Sequence, residues 1–594
     1  TLIENGHAKT AKAYILYRAQ RTNAREMNAG LMKVYEDITF KSALESDMKR
    51  ENANVDGDTA MGTMLKYGSE GAKEFYQRYV IDKKFTKAHS KGEIHIHDMD
   101  FYPKTTTCCQ IDIKKLFEGG FSTGHGFLRK PKGITSYSAL ACIAIQSNQN
   151  EQHGGQSIPN FDYVMSEGVK ETYAKEFRKA FTNAYEQSLE LEDQEGFIKQ
   201  CFGDVEKAGY ELAMEGETIF ESMLVETIAI YMPEVSRSLL QKVTDRARKL
   251  ALKETDRATY QAMEALVHNL NTMHSRAGAQ VPFSSINYGT DTTPEGRMVI
   301  KNILMATEAG LGKGETAIFP IHIFKVKEGV NYNPEDPNYD LFKQAMGVAA
   351  KRLFPNFSFI DAPFNLKYYK EGNPETEIAY MGCRTRVIAN AHDPESEVVT
   401  GRGNLSFTSI NLPRIAIKSD GNMAAFYSEL DEKIDLVMEQ LLERFKFQSQ
   451  QKVRNFPFLM GQGVWRGSDK LSMDDEIGEV LKHGTLTVGF IGLAETLKAL
   501  IGEHHGESPE AQKLGLEIVA HMRKRLDDAA KNTKLNFSLI ATPAEGLSGR
   551  FVRIDKNEFG IMEGITDREY YTNSFHVPVY QEITAFDKVR IEAP

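Results

Sequence analysis

One glycine–cysteine pair is a candidate for chemistry because of the residues that accompany it. Cys383 follows Gly382 and precedes a strand-like run at 385–389. A glycine permits a tight backbone turn, so Cys383 is predicted to lie at the tip of a loop inside a cavity. Asn404 follows further along the chain, and a second candidate thiol, Cys108, lies far upstream. A cysteine is by default a small buried apolar residue, so a chemical role for Cys383 depends on whether the fold gathers these partners.

Two histidines precede Cys108 in the sequence. His95 and His97 alternate with isoleucines in the run 91–98, as expected for a half-buried strand that has both imidazoles on one face. Two imidazoles on one strand face could bind a metal, but the spacing identifies no third ligand. We therefore interpret them as hydrogen-bonded structural histidines and assign no metal ligand.

Cys108 has a cysteine neighbour, Cys109. Adjacent residues of a strand point to opposite faces, so only one of these two thiols can face a given cavity. No CxxC pair occurs among the five cysteines of the chain, which argues against a closed zinc site. Five cysteines in so long a chain indicate a reducing compartment, so we expect a cytoplasmic protein.

A second kind of site is predicted at residues 542–545. Thr542 suits a helix N-cap, Pro543 suits the first helical position, and Glu545 suits the closing position of a capping box. A helix that starts after a buried strand presents unpaired N–H groups and the positive end of its dipole to an anion. Thr542, Ala544 and Glu545 are therefore candidates for binding a phosphate, and capping without any ligand remains an equal alternative.

A polar segment at residues 153–162 leads into a long, charge-laced helical region at 161–274. It contains two adjacent glycines together with Gln156, Ser157 and Asn160, whose side chains can hydrogen-bond a base or a sugar. Long helices often pair, so a dimer interface is plausible beside these three residues, and they are candidate ligands for a molecule bound there. A dimer contact without any ligand remains open.

The composition indicates a large globular protein. The chain has 594 residues, of which 41% are hydrophobic and 26% charged, and its net charge is −10. The negative charge argues against a general nucleic-acid coating role. No run of about 18 apolar residues is present, so no membrane span is predicted. We expect neither nucleic acid nor a membrane as a partner.

The elements that must position these residues change in character along the chain. Residues 1–50 and 161–278 show the apolar spacing of helices. From residue 281 onward, strand-like runs alternate with helical ones, which predicts a parallel or mixed α/β sheet. The predicted strands are 281–288, 317–326, 385–389, 406–417, 485–490 and 537–540, and the predicted helices are 297–309, 340–353, 423–451 and 511–534.

These features make the chain similar to the catalytic subunit of anaerobic (class III) ribonucleoside-triphosphate reductases, a family of glycyl-radical enzymes. The resemblance extends nearly from end to end and rests on the order and spacing of short motifs, none of which is decisive alone. The motifs are His95-Ile96-His97-Asp98 with Cys108, Ala309-Gly310-Leu311-Gly312-Lys313, Thr316-Ala317-Ile318-Phe319-Pro320, Asp336-Pro337-Asn338-Tyr339-Asp340, Met381-Gly382-Cys383-Arg384, Asn404 with Asn411-Leu412-Pro413-Arg414, Gly489-Phe490-Ile491-Gly492, Thr542-Pro543 and Tyr570-Tyr571-Thr572-Asn573-Ser574-Phe575-His576.

The resemblance implies a fold and a reaction. The fold is a ten-stranded α/β barrel surrounded by helices, with a central finger loop that carries Cys383 at its tip. The reaction is the anaerobic reduction of ribonucleoside triphosphates to 2′-deoxyribonucleoside triphosphates for DNA replication and repair. A thiyl radical on Cys383 would abstract the ribose 3′-hydrogen, Cys108 would supply a reducing hydrogen, and Asn404 would lie beside the ribose.

The resemblance also implies cofactors and partners. A glycyl radical would be installed by a radical-SAM activating enzyme that carries a [4Fe-4S] cluster. Formate would be the reductant, as in the branch of the family without further active-site cysteines. ATP, dATP and other deoxynucleoside triphosphates would act as allosteric effectors, and a deoxynucleotide bound between subunits would have Gln156, Ser157 and Asn160 as its candidate ligands. The protein would form a homodimer, and dATP would favour higher oligomers.

Two regions of the family's proteins have no complete counterpart in this sequence. Residues 1–21 resemble only the last helix of an N-terminal ATP-cone, and 22–594 would form the catalytic barrel domain, with the helical dimer and effector region at 161–274. A region with four zinc-binding cysteines and the glycyl-radical loop would follow Pro594. The structural zinc and the radical glycine are therefore expected outside this sequence.

Two other interpretations stay open. The adjacent Cys108 and Cys109 suggest another glycyl-radical enzyme related to pyruvate formate-lyase, although that family places its paired cysteines on the loop, where this chain has one. The other alternative is a nucleotide-sensing homologue without catalysis. The presence of Cys108, Cys383 and Asn404 argues against it.

Overall fold

A computed structural model describes residues 3, 5–41, 57–215, 218–276, 280–382, 385–542, 544 and 546–593. The helices are Ala8–Phe40, Ala60–Tyr79, Lys83–Ser90, Ile113–Gly119, Ile134–Gln149, Phe161–Leu189, Glu195–Lys207, Ile219–Tyr231, Arg237–Thr272, Pro294–Ala309, Tyr339–Arg352, Pro363–Leu366, Leu412–Ser419, Met423–Ser449, Gly478–Leu481, Leu493–Ile501, Pro509–Thr533, Leu547–Phe559 and Ala585–Glu592. The strands are β1 Ile94–Ile96, β2 Cys109–Gln110, β3 Phe121–Ser122, β4 Phe127–Leu128, β5 Gln156–Ile158, β6 Ser284–Tyr288, β7 Ile321–Val326, β8 Asn356–Phe359, β9 Tyr380–Met381, β10 Thr385–Arg386, β11 Asn404–Asn411, β12 Thr485–Ile491 and β13 Asn536–Ala541.

Two larger sheets form the centre of the fold. One has five parallel strands in the order β2-β5-β6-β7-β8. The other has the order β1-β11-β12-β13, in which β1 runs antiparallel to β11 and the remaining pairs are parallel. Parallel strands need crossover connections, and the helices between them cover the outer faces and bury the apolar strands. The described residues thus place nine strands in these sheets, where the resemblance implies ten.

The two sheets meet at a seam beside β2. Gln110 of β2 pairs with Arg402, just before β11, in an antiparallel bridge. Two further backbone bonds extend the seam, because the N–H groups of Thr107 and Cys108 both donate to the carbonyl of Asn404. The five-stranded and four-stranded sheets therefore continue into one another at the position of Cys108.

A long helical layer packs outside the five-stranded sheet. The helix Arg237–Thr272 begins at Ser236, whose hydroxyl accepts from the Leu239 N–H. Its 36 residues span about 54 Å, and a stripe of buried side chains at three- and four-residue spacing packs mainly against the helix Phe161–Leu189. The helices predicted in region 161–274 are thus present.

Strands and helices alternate as the sequence predicted, which confirms the mixed α/β class. Several predicted bounds differ by up to four residues, as for the strand predicted at 317–326 and observed at Ile321–Val326, and one difference is larger. The strand expected at 406–417 ends at Asn411, and the helix Leu412–Ser419 begins there. The Asn411 side chain accepts from the Arg414 N–H and Pro413 occupies the first helical turn, so both residues favour a helix start over a continued strand.

The N-terminal helix bears on the expected domain boundary. Ala8–Phe40 runs as one helix through residues 21 and 22, where the sequence suggested that an ATP-cone remnant gives way to the barrel domain. The boundary therefore does not coincide with the end of an element. Across the described ranges, no helix combines the length and apolar character needed to cross a bilayer.

Candidate active site

Cys108 lies where the two sheets meet and faces a β-hairpin. It is buried and packs with Met381 and Val387, which lie on the two limbs of the antiparallel β9–β10 hairpin and its continuation. Cys109 is fully buried in the main hydrophobic core instead, and burial raises the pKa of its thiol well above the usual value. The two neighbouring thiols therefore face different surroundings, as the strand pattern predicted.

Asn404 is the polar neighbour of Cys108. Its carbonyl accepts from the Thr107 and Cys108 N–H groups at 2.9 and 3.2 Å. Its side-chain Oδ1 accepts from the Thr487 hydroxyl at 2.9 Å, which fixes the carboxamide orientation. The structure thus brings together two of the predicted residues, Cys108 and Asn404, in a buried environment.

Gly403 permits this close approach. A Cβ atom at residue 403 would lie 1.8 Å from the carbonyl oxygen of Cys108, a distance that no side chain can occupy. A glycine is therefore required where the start of β11 crosses the Cys108 strand.

We expect Gly403→Ala to push these two backbones apart. The clash falls on main chain, so the substitution should lower the free energy of unfolding by about 1–3 kcal/mol and reduce turnover. Gly312→Ala is the matched control, because a Cβ there meets no atom within 4 Å. Urea unfolding midpoints measure the difference, and equal midpoints for the two variants would contradict the close approach.

Side chains of the five-stranded sheet hold the first limb of the hairpin. Tyr380 donates its N–H to Asn287 Oδ1 at 2.8 Å, and its carbonyl accepts from Asn287 Nδ2 at 3.0 Å and from the Ser157 hydroxyl at 2.9 Å. The Gly382 N–H donates to the Ser285 hydroxyl at 3.1 Å. Cys383 and Arg384 themselves lie outside the described residues, between β9 and β10 in the chain.

Three histidines form a buried group beside β11. The rings of His89, His95 and His97 approach one another with centroids 5.0 and 4.6 Å apart. Burial lowers the pKa of His89 to about 3 and of His97 to about 4, so these imidazoles are neutral at physiological pH. His97 also stacks on Phe407. In the portion of the chain that is described, no cluster of three or more His, Cys, Asp or Glu side chains has a geometry suited to a metal ion.

The helix start predicted at Pro543 is wrong. The helix spans Leu547–Phe559, four positions later, and it is preceded by Gly546 without a side-chain cap. The intervening chain is instead tied to the segment around Asn573, whose Oδ1 accepts from the Ala544 N–H at 3.1 Å. Pro543 and Glu545 lie outside the described residues.

Thr542 is nevertheless inside the sheet interior. Its hydroxyl bonds to the Ser409 hydroxyl at 2.8 Å, and Ser409 in turn bonds to His97 Nε2 at 2.9 Å. Gly489 makes room for this contact, since a Cβ at residue 489 would lie 2.1 Å from Thr542 Oγ1. The predicted phosphate-binding residue therefore lies on the same sheet face as the histidines.

The candidate effector residues are buried and engaged within the chain. Gln156 Oε1 accepts from Asn148 Nδ2, the Ser157 hydroxyl donates to the hairpin, and Asn160 Oδ1 accepts from Lys325 Nζ at 2.9 Å. These groups lie within or beside the five-stranded sheet and not on an open surface. Their role as direct effector ligands stays a prediction.

A cavity of about 650 Å³ lies near the segment that contains Gln156, Ser157 and Asn160, and the sequence did not predict it. It is open to solvent on one side, and its lining comes from separate segments of the chain, so no contiguous motif marks it. The lining residues are Ser122, Thr123, Gly124, His125, Ile143, Gln146, Ser147, Asn150, Glu151, Ser275, Pro457, Phe458, Gln462 and Met473. Burial raises the pKa of Glu151 to about 7, although its carboxylate accepts two backbone N–H groups.

The arrangement around Cys108 suits chemistry that water would quench. A buried thiol and a carboxamide lie together beside a hairpin that is anchored by side chains. Closed surroundings of this kind protect reactive intermediates and fix the approach of a small polar substrate.

Comparisons with known proteins match one protein family over most of the chain. A family model described as "Anaerobic ribonucleoside-triphosphate reductase" matches residues 51–594. A protein of that name from Salmonella typhimurium is 30% identical over 599 residues, which covers 100% of this chain and 74% of the relative.

Solved structures show the same fold at low sequence identity. One described as "Anaerobic ribonucleotide reductase" aligns with a TM-score of 0.62 at 13% identity, covering 97% of this chain and 81% of the other. The enzyme from Thermotoga maritima in complex with dATP and CTP aligns with a TM-score of 0.58 at 14% identity, covering 96% and 83%. The barrel-type α/β fold is therefore shared.

Proposed function

We propose a reaction for this chain, which belongs to the anaerobic ribonucleoside-triphosphate reductase family. The proposal is that the chain replaces the 2′-hydroxyl of a ribonucleoside triphosphate by hydrogen through a thiyl radical on Cys383. One observation carries it. Cys108 and Asn404 lie together against the hairpin whose two strands flank Cys383.

The first step assigned to this chain is hydrogen-atom transfer to Cys383. A glycyl radical, when present, supplies the unpaired electron for the Cys383 sulfur. The thiyl sulfur takes the hydrogen atom from C3′ of the ribose and becomes S–H, which leaves the unpaired electron on C3′. An S–H bond is weak enough for this exchange to run in both directions, so the same hydrogen can return to C3′ at the end.

Asn404 and Cys108 act on the neighbouring C2′ position. Asn404 Oδ1 is occupied by Thr487, so its NH₂ group can donate to a ribose hydroxyl without titrating. The 2′-hydroxyl takes up a proton and leaves as water while the 3′-hydroxyl loses a proton, which leaves a 3′-ketone and an unpaired electron at C2′. The Cys108 thiol gives its hydrogen atom to C2′, and the unpaired electron moves to the Cys108 sulfur. Formate returns a hydrogen atom to that sulfur, and its second electron, with one proton, reduces the 3′-ketone to the C3′ radical, which takes its hydrogen back from Cys383. The buried setting keeps bulk water from the radical.

Formate is the proposed reductant. It loses two electrons and becomes carbon dioxide, while the C2′–OH bond becomes C2′–H with uptake of one proton and release of one water. The described cysteines near the site are Cys108 and Cys109, and Cys109 faces the core, which leaves no dithiol pair at the substrate position.

The reductant is tested with labelled formate. Full-length protein, activated by its radical-SAM partner without oxygen, should convert CTP to dCTP and ¹³C-formate to an equal amount of ¹³CO₂. Mass spectrometry of both products measures the ratio. Formation of dCTP without labelled carbon dioxide would reject formate while leaving the reductase activity intact, whereas no dCTP would reject the proposed function.

The substrate triphosphate is placed near Thr542 and Ala544. Both residues follow β13 on the interior side, and the helix Leu547–Phe559 begins just beyond them. Glu545 remains part of this proposal from the sequence alone. The Ala544 N–H already donates to Asn573, so the N–H groups suited to phosphate oxygens are those at the start of the helix Leu547–Phe559.

The effector is proposed to occupy the 650 Å³ cavity, whose size and polar lining suit a nucleotide. The segment with Gln156, Ser157 and Asn160 leads from Asn150 and Glu151 at the cavity to the hairpin, which Ser157 contacts directly. We propose that these three residues transmit the influence of the bound effector from the cavity to the hairpin.

A homodimer that forms through the helices of 161–274 completes the proposal. Sedimentation of the native protein measures whether the dimer forms.

We expect Gln146→Ala combined with Asn150→Ala to weaken effector control of substrate choice. Both side chains line the cavity, and Cys108 is not among its lining residues. Allosteric couplings of about 1–3 kcal/mol correspond to roughly 5- to 150-fold, so the effector-induced change in product ratio should shrink at least about 5-fold. Product ratios among four competing substrates, with and without each deoxynucleotide, measure it.

Two controls accompany this variant. Basal turnover without effector should stay near that of the wild type, because the cavity lies outside the catalytic position. The double variant Gln156→Ala with Asn160→Ala should keep effector affinity but lose coupling. An unchanged product-ratio shift in the cavity variant would place the effector elsewhere.

A further inference from the structure

A buried arginine holds the second limb of the hairpin. Arg402 is fully buried, and its guanidinium donates to four main-chain carbonyls: those of Ile388, Val398, Ala389 and His483, at 2.7, 3.0, 2.7 and 2.9 Å. Among the described residues no carboxylate forms an ion pair with it. A guanidinium buried without a counter-charge is costly, so its placement needs a reason beyond charge balance.

The first limb is held by the bridge partner of Arg402. Gln110 is also fully buried, and its Nε2 donates to the Ala379 carbonyl at 2.9 Å. The two residues face each other across the seam, where the Gln110 N–H donates to the Arg402 carbonyl and the Gly401 N–H donates to the Gln110 carbonyl, both at 2.8 Å. One residue pair thus contacts both ends of the segment that contains Cys383.

We propose that Gln110 and Arg402 form a clamp that sets the position of the Cys383 loop relative to Cys108. Gln110 lies two residues after Cys108 on the same backbone, so a shift of the clamp would move the described limbs of the hairpin relative to Cys108. Both are positioning residues, because neither side chain reaches the reacting atoms. The expected loss of kcat rests on the proposed function, whereas the hydrogen bonds that form the clamp do not depend on the reaction.

The chemistry of the side chains explains why these types are used. The chain between β10 and β11 forms no regular strand, so its carbonyls at Ile388, Ala389 and Val398 need donors from outside a sheet. A guanidinium is a rigid planar fork with five donors, so it can bond several diverging carbonyls at once, whereas an ammonium is a compact group on a flexible stem. Arginine therefore fixes the limb geometry, which a lysine of the same charge cannot do.

Arg402→Lys tests the clamp with charge retained. Hydrogen transfer between a thiyl and a ribose carbon needs contact distance, and a misplacement of about 1 Å can cost about 100-fold in rate. We expect kcat to fall about 100-fold while the KM for CTP stays within about 3-fold. Arg352→Lys is the matched control, since Arg352 likewise donates to several carbonyls, those of Glu308 at the end of a helix and Gly314 in the loop after it, and none of them belongs to the hairpin.

Thiol labelling of the resting protein provides a readout that needs no turnover. We expect Arg402→Lys to change the rate of Cys383 alkylation by iodoacetamide at least about 10-fold, measured by peptide mass spectrometry. The buried thiols Cys142 and Cys201 report unfolding and should label at wild-type rates. Wild-type protein that binds CTP but makes no dCTP would refute the proposed function, and the labelling rates would still decide the clamp.

A second variant guards against a folding failure. Gln110→Leu keeps the side-chain size and removes the bond to Ala379, so it should show the same kcat loss and the same Cys383 labelling change. If all cysteines of Arg402→Lys are alkylated, that variant is unfolded, and Gln110→Leu alone then tests the clamp. Wild-type Cys383 labelling together with wild-type kcat in Gln110→Leu, or equal effects of Arg352→Lys and Arg402→Lys, would overturn the clamp.

Discussion

Cys383→Ser should bind nucleotide with unchanged affinity and form no deoxynucleotide. The proposed first step moves a hydrogen atom between the residue at 383 and the ribose C3′. A serine O–H bond is too strong to be exchanged with a ribose carbon, so the substitution removes the radical carrier while changing one atom. The expected effect on kcat is complete loss.

The measurement is anaerobic turnover of CTP, with binding of CTP followed separately by calorimetry. Cys201→Ser is the matched control, because Cys201 is buried in the helix Glu195–Lys207, in the helical layer outside the sheets. It should keep most of its activity. Measurable dCTP from Cys383→Ser that has been freed of wild-type protein would remove Cys383 from the reaction.

Replacing the two neighbouring cysteines should separate their roles. Cys108→Ala is expected to abolish reduction, because Cys108 packs against the hairpin and beside Asn404, where it can deliver hydrogen to C2′. Cys109→Ala is expected to keep substantial activity, because Cys109 belongs to the main core and its loss removes only one buried sulfur atom.

Turnover and thermal melting of both variants measure this contrast. Cys109→Ala should lower Tm by a few degrees, while Cys108→Ala should melt close to the wild type. An active Cys108→Ala together with an inactive Cys109→Ala would mean that β2 presents its other face to the substrate.

The sequence was most informative where a pattern is local. Alternating strands and helices after residue 281 predicted the α/β class, and adjacent cysteines on a strand predicted that Cys108 and Cys109 face opposite ways. The strand predicted at 406–417 was too long because its last residues are apolar and equally suited to the helix Leu412–Ser419. The Asn411 and Pro413 helix signals decide that ambiguity.

The rest depends on contacts between distant parts of the chain. The bonds from Arg402 to the carbonyls of residues 388, 389, 398 and 483 follow from the seam between two sheets, which no local pattern encodes. The helix after β13 starts at Leu547, and before it the Ala544 N–H donates to Asn573, a contact between distant residues that the sequence does not indicate. Gly403 could have been noticed as a glycine beside Asn404, but its reason is the Cys108 carbonyl.

The most direct test of the central claim uses CTP that carries deuterium at C3′. Activated, full-length protein should convert it to dCTP more slowly than unlabelled CTP, and the deuterium should remain at C3′ of the product, because the Cys383 sulfur takes that atom and returns it. Competition between labelled and unlabelled CTP, followed by mass spectrometry of dCTP, measures both quantities. If labelled and unlabelled CTP are converted at the same rate while the deuterium stays at C3′, transfer of the 3′-hydrogen is unsupported. If no dCTP forms although the glycyl radical is present, the proposed reaction is contradicted.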